Sequence, residues 1–428
     1  MAIHPTRRHF LAGIAALLGS SALLRAAVAQ ETSLRLIFWG SQPRADRTFG
    51  VADLYTAAHP DVAIEGEFLA WPDYWPKLAT QTAGGNPPDI MQMDYRYIGE
   101  YARRGTLAPL DALAGGPLDI AGVDADQLAN GTIDGKLYGV SLGVATGATV
   151  TNAQALEANG VEIDPMGITY DDVLKHGQAL KAATNGAMVL SSDGSGVELL
   201  LENWLRQRGK ALYTADGQTA FTAADMSEWF ALWAELRDAG ACLSAEEQAL
   251  DTGKLEETGL VRGKAAMNFT TSNQLVTYQA LTDQRLGIAI YPMIAPNTAG
   301  GHYRNASQFL AISASAAAPE AAAGFISFFV NNPEAGKILG VERGVPVTAA
   351  VREAITPTLD EQSALAVKFV GDLGAIAGAV PPSPPAAAGE VEVALKTKSQ
   401  EVAFGAQSAA DAGPAFFDQV NDILSRAG

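Results

Sequence analysis

Short apolar segments with the composition of β-strands alternate with longer helix-like segments through most of this 428-residue chain. Leu34–Phe38 is typical of a buried strand, residues 46–58 have helical spacing, and Val62–Phe68 is strand-like again. A second block of the same kind begins near residue 148. Such alternation predicts the α/β class, with parallel sheets joined by crossover helices. Ligands of such sheets bind at the carboxyl ends of the strands, so the residues that follow each strand are the first candidates for a site.

The amino-terminal segment has the features of an export signal, in the order that export requires. An arginine pair, Arg7 and Arg8, precedes an apolar run from Phe10 to Leu24, and the small residues at 27–29 form a cleavage pattern. The apolar run is shorter than the ~20 residues that a transmembrane helix needs. We therefore predict that residues 1–29 are a twin-arginine signal peptide and that the mature protein is periplasmic.

The charge of the chain argues against a nucleic-acid partner, and its cysteine content argues against a disulfide and a lipid anchor. The chain has a formal net charge of −18, and the signal segment contains arginines but no acids, so the mature chain is more acidic still. Because such a surface repels a polyanion, we expect no nucleic-acid partner. The single cysteine, Cys242, excludes an intramolecular disulfide and leaves no lipid-anchoring cysteine near the cleavage site. We expect the protein to be free in the periplasm, without a lipid anchor, and to be a monomer.

Motifs for catalysis, metals and cofactors are missing from the sequence. The five histidines show no metal-ligand spacing, and neither HExxH, CxxC nor the G-x-S-x-G nucleophile motif occurs. A glycosidase needs two carboxylates at a fixed separation, and among 47 acidic residues the sequence neither identifies nor excludes such a pair. We therefore predict a protein that is not an enzyme, with no metal and no cofactor.

Aromatic and polar side chains recur where loops follow the predicted strands. A sugar offers an apolar face of C–H groups and a rim of hydroxyls, so its site needs flat aromatic side chains together with hydrogen-bonding groups. The candidate aromatic platforms are Trp39, Trp71, Tyr74, Trp75, Tyr95, Trp204 and Tyr291. The candidate hydrogen-bonding residues are Asp94, Asn268, Asn305 and Arg343. Each of these tryptophans could instead be a core residue, and the helical spacing around Trp233 indicates a core position for that one.

Several short motifs, in order, resemble those of the extracellular solute-binding proteins of family 1, the maltose-binding-like sugar receptors of ABC importers. They are G-N-P-P-D-I at 85–90, Y-A-R-R-G-T-L-A-P-L at 101–110, D-G-K-L-Y-G-V at 134–140, G-K-A-A-M at 263–267 and F-F-V-N-N-P-E-A at 328–335. The resemblance extends over essentially the whole mature chain.

This resemblance implies a two-lobe periplasmic binding protein fold, in which each lobe is a sheet flanked by helices and the ligand binds in the cleft between them. The chain is expected to cross between the lobes near residues 143–147, 300–305 and 345–348. The expected N-terminal lobe comprises residues 30–145 and 303–346, and the expected C-terminal lobe residues 146–302 and 347–428. The partners implied are a small sugar ligand and the permease subunits of an ABC transporter.

The resemblance also implies which residues face the cleft. Trp39 and the pair Asp94 and Tyr95 are expected to face it from one lobe. Trp204 and the segment 268–273, which includes Thr270 and Asn273, are expected to face it from the other. The family often has a tryptophan after the A-A-M motif, and this chain has none there. Because fewer aromatic platforms suit a shorter ligand, we expect a mono- or small oligosaccharide.

Arg343 raises the question of ligand charge. It lies in the segment V-E-R-G-V-P, before the expected third crossing, and its planar guanidinium suits a carboxylate or paired hydroxyls. An acidic sugar is one interpretation, and a surface ion pair with Glu342 or another acid is the alternative. Two functions compete with a sugar receptor. One is a receptor of the same fold for a non-sugar solute such as a polyol or polyamine, and the other is an exported glycosidase.

Overall fold

The computed structural model describes residues 32–299, 301–382 and 384–427. The signal peptide predicted for residues 1–29 lies outside these residues. In the described part of the chain the strands are β1 (Thr32–Trp39), β2 (Val62–Leu69), β3 (Ile90–Met93), β4 (Thr132–Ile133), β5 (Lys136–Leu137), β6 (Val140–Ser141), β7 (Val144–Ala145), β8 (Gly147–Thr151), β9 (Val189–Ser191), β10 (Ala265–Thr271), β11 (Gly287–Ala289), β12 (Asn305–Ala306) and β13 (Phe309–Ile312).

The α-helices of the same residues surround these strands. They are α1 (Gln42–Ala58), α2 (Trp71–Ala83), α3 (Tyr95–Arg103), α4 (Ala125–Asn130), α5 (Ala153–Ala158), α6 (Tyr170–Ala183), α7 (Glu198–Gln207), α8 (Ala223–Asp238), α9 (Ala245–Gln248), α10 (Gln274–Gln279), α11 (Pro319–Asn331), α12 (Pro333–Leu339), α13 (Ala349–Ile355), α14 (Glu361–Asp372), α15 (Ala388–Ala403) and α16 (Ala409–Ala427). None of these described helices is long and apolar enough to cross a membrane.

The chain forms two lobes, each with its own sheet flanked by helices. The first sheet has the strand order β2-β1-β3-β13-β6, and the second has the order β11-β8-β10-β9. Strands β1, β2 and β3 are parallel, whereas β13 is antiparallel to β3 and β6. In the second sheet β10 is parallel to β9 and antiparallel to β8. Both sheets are therefore mixed, which corrects the expectation of parallel sheets.

The register of the parallel strands brings their carboxyl ends together. Trp39 at the end of β1 lies opposite Leu69 at the end of β2, and Leu36 lies opposite Ile90 of β3. The segments that start α2 and α3 consequently begin at the same edge of the first sheet. This edge is where parallel sheets present ligand-binding residues.

Three segments meet where the two lobes join. Strands β7 and β12 pair antiparallel, and Val144 of β7 also forms a bridge with Val345. Gly344 has a φ of 101°, which side chains other than glycine rarely adopt, and a Cβ there would collide with the carbonyl of Val144. A glycine at this position therefore lets the third segment approach the other two.

The packing after Val345 suggests a change to the expected lobe boundaries. The chain continues into α13, which packs on α12, with Val351 close to Gly336. Helix α14 then packs on α10 and β11 of the second lobe. We therefore propose that the third crossing follows residue 355 and does not lie near 345–348. The segment 347–355 then belongs with the first lobe.

The core of the second lobe contains several buried aromatic side chains. Trp229 and Trp233 of α8 are fully buried, as the spacing of Trp233 predicted. Helix α8 starts with a capping box in which Thr222 and Asp225 bond reciprocally to each other's backbone N–H. Helix α16 packs along α8, so the carboxyl-terminal segment completes this lobe.

Candidate ligand-binding site

A cavity of about 560 Å³ lies between the two lobes. Its volume is within the range of small-molecule sites, which is roughly 300–1,000 Å³. One wall is built from the segments that follow β1, β2 and β3, and the other from α7, the end of β10 and α10. The floor consists of the joined segments around β7 and β12. Each lobe therefore contributes one face of the site.

The wall of the first lobe is an aromatic cluster. Trp39 and Trp71 line the cavity, and their rings meet edge to face with centroids 5.0 Å apart. Behind them lie Tyr74 and Trp75, whose rings are 5.1 and 5.7 Å from that of Trp39. Because this second layer holds the indoles of Trp39 and Trp71 in place, the parts of them that reach the cavity form a fixed apolar surface of the kind that stacks on a sugar ring.

The start of α3 places a charged network beside this aromatic wall. Asp94 caps the helix by accepting a hydrogen bond from the backbone N–H of Arg96, and it pairs with the Arg96 side chain at 2.8 Å. The Arg96 guanidinium also contacts Glu392 of α15 at 2.5 Å and lies 5.2 Å from the Trp71 ring centroid. Since α15 packs mainly on helices of the second lobe, Arg96 links the two lobes at the rim of the cavity.

Tyr95 makes a second link across the cleft. Its hydroxyl donates to the carbonyl oxygen of Pro381 at 2.9 Å, within the proline-rich segment that leads to α15. Burial, and then the negative charge of Glu202, raise the pKa of Tyr95, so the hydroxyl stays protonated and can donate. The proline-rich segment is thus tied to the first lobe at the cavity wall.

The wall of the second lobe is mixed polar and apolar. Helix α7 and the residue before it face the cavity with Val197, Leu199 and Asn203. Thr270 lies at the end of β10, and its carbonyl oxygen accepts a hydrogen bond of 2.5 Å from the hydroxyl of Tyr291. The Tyr291 ring, which is 1% exposed, is therefore held in a fixed position beneath the cavity surface.

A buried ion pair lies at the floor of the cavity. Arg44 of α1 and Glu342 approach to 2.6 Å, and both side chains line the cavity although each is more than nine-tenths buried. Burial alone would raise the pKa of Glu342, but the positive charges of Arg44 and then Arg343 outweigh it and lower that pKa. Glu342 is therefore ionised, and the pair carries no net charge into the site.

The other cations of the lining also have acidic partners. Arg96 pairs with Asp94 and Glu392, and Lys254 lies 3.5 Å from Glu257. Among the residues that the structure describes, the lining therefore has no cation that lacks an acidic partner. A site with paired charges favours a ligand whose polar groups are hydroxyls over one that carries a carboxylate.

His302 lies fully buried in the cavity floor. The backbone N–H of Tyr291 donates to its Nε2 at 3.2 Å, so the neutral ring carries its proton on Nδ1. Burial lowers the pKa of His302 to about 4, from an ordinary value of 6.5. The ring is therefore neutral at physiological pH.

His302 is expected to make the stability of the protein depend on pH. Between pH 6.5 and about 4 the unfolded chain takes up a proton on this histidine and the folded chain does not, so stability falls as pH falls through this window. A shift of this size corresponds to about 3 kcal/mol at pH 4. The free energy of unfolding, measured in urea between pH 4 and 7, should depend less steeply on pH for His302→Gln than for wild type. His59→Gln changes an exposed histidine and serves as the control, which should show the pH dependence of the wild-type protein. The assignment would be contradicted if His302→Gln also showed the wild-type pH dependence.

Most of the residues that the sequence predicted for the site line this cavity. These are Trp39, Trp71, Asp94, Tyr95, Thr270, Asn273, Tyr291 and Asn305. Their contact with a ligand stays a prediction. Five other candidates do not line it: Tyr74, Trp75, Trp204, Asn268 and Arg343.

Trp204 lies on the predicted helix, α7, but not on the face of the helix that lines the cavity. Leu199 and Asn203, four residues apart, share the face of α7 that lines the cavity, and Trp204 lies about 100° further around the helix. Its buried ring packs 5.6 Å from that of Trp229, and the guanidinium of Arg208 covers it at 4.2 Å. Trp204 is therefore a core residue, which corrects the expectation that it faces the cleft.

Asn268 is directed away from the cavity. It lies inside β10, and its side-chain amide donates to the hydroxyl of Tyr278 on α10 at 3.0 Å. This contact joins the sheet to the helix beside it. The expectation that Asn268 faces the cleft was therefore wrong, and only the end of β10, at Thr270 and Thr271, reaches the lining.

Arg343 is a buried residue of the first lobe and belongs neither to the lining nor to the surface. Its side chain donates to the Oε1 atoms of Gln92 and Gln308, both at 2.6 Å, and to the hydroxyl of Thr48 at 2.8 Å. Burial, and then the charge of Arg44, lower its pKa to about 9, so it stays charged. The sequence left two interpretations of Arg343, a residue that binds an acidic ligand and a member of a surface ion pair. Both are corrected, because Arg343 is buried away from the cavity and the neighbouring acid, Glu342, pairs with Arg44.

The sequence did not identify several residues of the lining. They are Arg44, Arg96, Asn203, His302, Gln308 and Glu342. Arg96 directly follows the predicted pair Asp94 and Tyr95, and Asn203 directly precedes Trp204, which was predicted to face the cleft. The direction in which each side chain leaves its helix would have identified Arg96 and Asn203. The remaining four depend on the packing of distant segments, which a single sequence does not specify. Among the described residues, no three acidic, histidine or cysteine side chains are placed to hold a metal ion.

Comparisons with known proteins agree with this architecture. The family model of bacterial extracellular solute-binding proteins matches residues 50–366. An extracellular solute-binding protein of family 1 from Alicyclobacillus acidocaldarius is 28% identical over 92% of this chain and 98% of its own, with a TM-score of 0.69.

Two further structures share the fold at lower identity. A periplasmic oligogalacturonide-binding protein from Yersinia enterocolitica, in complex with saturated digalacturonic acid, is 22% identical over 93% of this chain and 100% of its own, with a TM-score of 0.83. An ABC substrate-binding protein from Listeria monocytogenes, in complex with cycloalternan, is 21% identical over 92% and 99%, with a TM-score of 0.80.

Proposed function

The chain belongs to the family of bacterial extracellular solute-binding proteins, and from this premise we propose that it is the periplasmic sugar receptor of an ABC importer. It binds a mono- or small oligosaccharide in the cleft between its lobes and delivers it to permease subunits in the membrane. It acts as a monomer, and it binds its ligand without chemical change.

One observation carries this proposal. The cavity has the indoles of Trp39 and Trp71 on one wall, polar and apolar side chains of α7 and the end of β10 on the other, and a volume of about 560 Å³. Flat apolar surfaces combined with fixed hydrogen-bonding groups suit a sugar, which has an apolar face and a polar rim. The volume and the two indoles favour a short ligand over a long dextrin.

The charges of the lining argue against an acidic sugar. The reason for expecting one was Arg343, which does not line the cavity and already donates to three side chains. The cations that do line it pair with acids. We therefore favour a sugar without a carboxylate, although the Yersinia protein of the same fold binds digalacturonic acid.

A melting-temperature screen against a library of solutes tests this function. A ligand at 100 times its dissociation constant adds about 2.7 kcal/mol to the stability of the folded protein. We expect neutral mono- and disaccharides to raise the melting temperature, and polyols, polyamines and amino-acid conjugates to leave it unchanged. Stabilisation by one of these other solutes alone would favour the non-sugar receptor, and hydrolysis of a bound sugar would favour an enzyme.

Export is expected to depend on the twin-arginine pair at Arg7 and Arg8, which lies outside the described residues. The motivation is an arginine pair ahead of a short apolar run and a cleavage pattern. Replacing both arginines by lysine keeps the charge but should prevent recognition, so that the mature form is lost from periplasmic fractions. Undiminished export of the double-lysine variant would rule out the twin-arginine route and leave the general secretion route.

A further inference from the structure

Two amide side chains line the cavity from different lobes, and both are almost completely buried. Gln308, directly before β13 of the first lobe, and Asn203, on α7 of the second, are each 3% exposed. An amide has an acceptor oxygen on one side and a donor NH2 group on the other, so its rotation decides which of the two a ligand meets. The hydrogen bonds behind each amide therefore determine what kind of ligand group it can bind.

Arg343 fixes the orientation of the Gln308 amide. The guanidinium donates to Oε1 of Gln308 at 2.6 Å, and because a guanidinium has donors only, it can hold the oxygen but not the NH2 group. Hydrogen bonds to two other buried side chains keep the guanidinium in place, as do the rings of Phe38 and Phe329, whose centroids are each 5.7 Å away. The Nε2 of Gln308 has no hydrogen-bond partner among the described residues and is not enclosed by protein atoms. This donor therefore faces the cavity.

A second chain of hydrogen bonds fixes the Asn203 amide in the same way. Its Oδ1 accepts from Nε2 of Gln207 at 2.7 Å. The Oε1 of Gln207 accepts from the backbone N–H of Ile294 at 2.8 Å, and its Nε2 also donates to the carbonyl oxygen of Pro292 at 3.1 Å. Because these backbone groups cannot exchange roles, Gln207 keeps its NH2 group toward Asn203. The Nδ2 of Asn203 has no partner in the described part of the chain and is not enclosed, so it too faces the cavity.

The positive charge behind Gln308 strengthens its donor. Glu342 pairs with Arg44 at 2.6 Å, and no described acid lies within ion-pair distance of Arg343. The guanidinium polarises the amide that it holds, since hydrogen bonds in a low-dielectric interior reinforce one another along a chain. Its charge also repels a cation at the cavity end of the same chain. The Gln308 position therefore favours an acceptor oxygen over an ammonium group.

We propose that Arg343 and Gln207 are positioning residues that fix the amides of Gln308 and Asn203 as hydrogen-bond donors toward the ligand. This proposal rests on the proposed sugar-receptor function and narrows its ligand class. A hydroxyl or ether oxygen accepts from such donors, whereas an ammonium group has three donors and no acceptor. The ligand is therefore a sugar with an oxygen atom at each of the two amides, and a sugar with an amine at either position is excluded.

The ligand class is tested with sugars that differ by one group at one position. Glucose, galactose, maltose and cellobiose are the first probes, and in whichever binds, each hydroxyl is replaced in turn by fluorine or by a protonated amine. Fluorine keeps a weak acceptor and removes the donor, whereas the ammonium group keeps donors and removes the acceptor. At two positions we expect calorimetry to show that the amine binds at least about tenfold more weakly than the fluoro derivative, a difference of 1.4 kcal/mol. Equal affinities of the two derivatives at every position would overturn the proposal.

Gln308→Glu is the most informative variant, because it should keep one oxygen on Arg343 and present an acceptor to the cavity in place of the donor. We expect it to bind the amine more tightly than the fluoro derivative at one of the two positions, and Asn203→Asp to do so at the other. Gln400→Glu adds the same charge at an exposed position of α15 and should keep the wild-type preference. Wild-type preferences in Gln308→Glu or Asn203→Asp would overturn the role of that amide.

The positioning role of Arg343 is tested by combining its substitution with one at Gln308. Arg343→Met should weaken the preference for the fluoro derivative, because the amide can then rotate, and it should not change the preference once Gln308→Met has removed the amide. An arginine with a structural role alone would lower the affinity for both derivatives equally and leave their ratio unchanged. If Arg343→Met does not fold, Gln207→Met, at a partly exposed position, makes the same test for Asn203.

These measurements separate the failure of this proposal from the failure of the proposed function. If sugars bind but the ratio of amine to fluoro affinity does not depend on Gln308 and Asn203, the fixed donors are overturned and the sugar receptor stands. If none of the neutral sugars binds, the sugar-receptor function fails, and this proposal fails with it.

Discussion

Glu342→Gln is expected to lower the free energy of unfolding by about 3–5 kcal/mol, since it leaves Arg44 as a buried cation without its partner. The two side chains meet at 2.6 Å, and both are more than nine-tenths buried. The substitution keeps the shape of the side chain and removes only its charge. Urea unfolding at neutral pH measures the loss.

Two controls separate the buried charge from other effects of this change. Glu334→Gln removes the acid of an exposed pair with Lys337 and should cost well under 1 kcal/mol. Replacing Arg44 and Glu342 together by methionine removes both charges, and it should be less destabilising than Glu342→Gln alone. If Glu342→Gln costs no more than Glu334→Gln, the pair is not buried as the structure has it.

Trp204→Ala is expected to cost about 3–5 kcal/mol of stability without weakening sugar binding, whereas Trp71→Ala should weaken binding at least about tenfold. Trp204 packs on Trp229 in the core of the second lobe, and Trp71 lines the cavity beside Trp39. Losing an aromatic surface for the sugar costs about 1 kcal/mol or more.

Calorimetric titration and urea unfolding of both variants distinguish the two roles. Affinity is compared under conditions in which each variant is fully folded, so that instability of Trp204→Ala does not appear as weak binding. Trp75→Ala is an informative third variant, because Trp75 supports Trp39 at 5.7 Å without lining the cavity. Weaker binding by Trp204→Ala, together with unchanged binding by Trp71→Ala, would contradict the placement of both residues.

The first wall of the site was the part that the sequence predicted best. Residues after a predicted parallel strand must lie at one edge of the sheet, whatever the details of packing. Trp39, Trp71, Asp94 and Tyr95 were selected on that ground, and all four line the cavity. The strand pattern was enough here because strand register alone brings these positions together.

The second wall was predicted less well because it depends on helix rotation. One residue along a helix changes the direction of a side chain by about 100°, so Asn203 reaches the cavity and Trp204 does not. A single sequence with several apolar positions on α7 does not fix which face meets the core. The core partner Trp229 comes from a different helix, and its contact with Trp204 decides the rotation.

The floor of the site could not be predicted from local pattern. Arg44 and Glu342 are 298 positions apart in the sequence, and Arg343 reaches Gln92 and Thr48 across similar separations. Glu342 lines the cavity and Arg343 does not, and the chain turns directly after them at Gly344, whose φ is 101°. The sequence drew attention to the correct segment, but the neighbour of the predicted residue lines the site.

Isothermal titration of the ligand-free protein with the sugars that raise its melting temperature tests the proposed function most directly. The expected result is saturable binding of one mono- or small oligosaccharide per chain, with the heat returning to the dilution baseline after each injection and the sugar recovered unchanged. Binding confined to solutes that are not sugars, or continuous heat from turnover of the sugar, would contradict it.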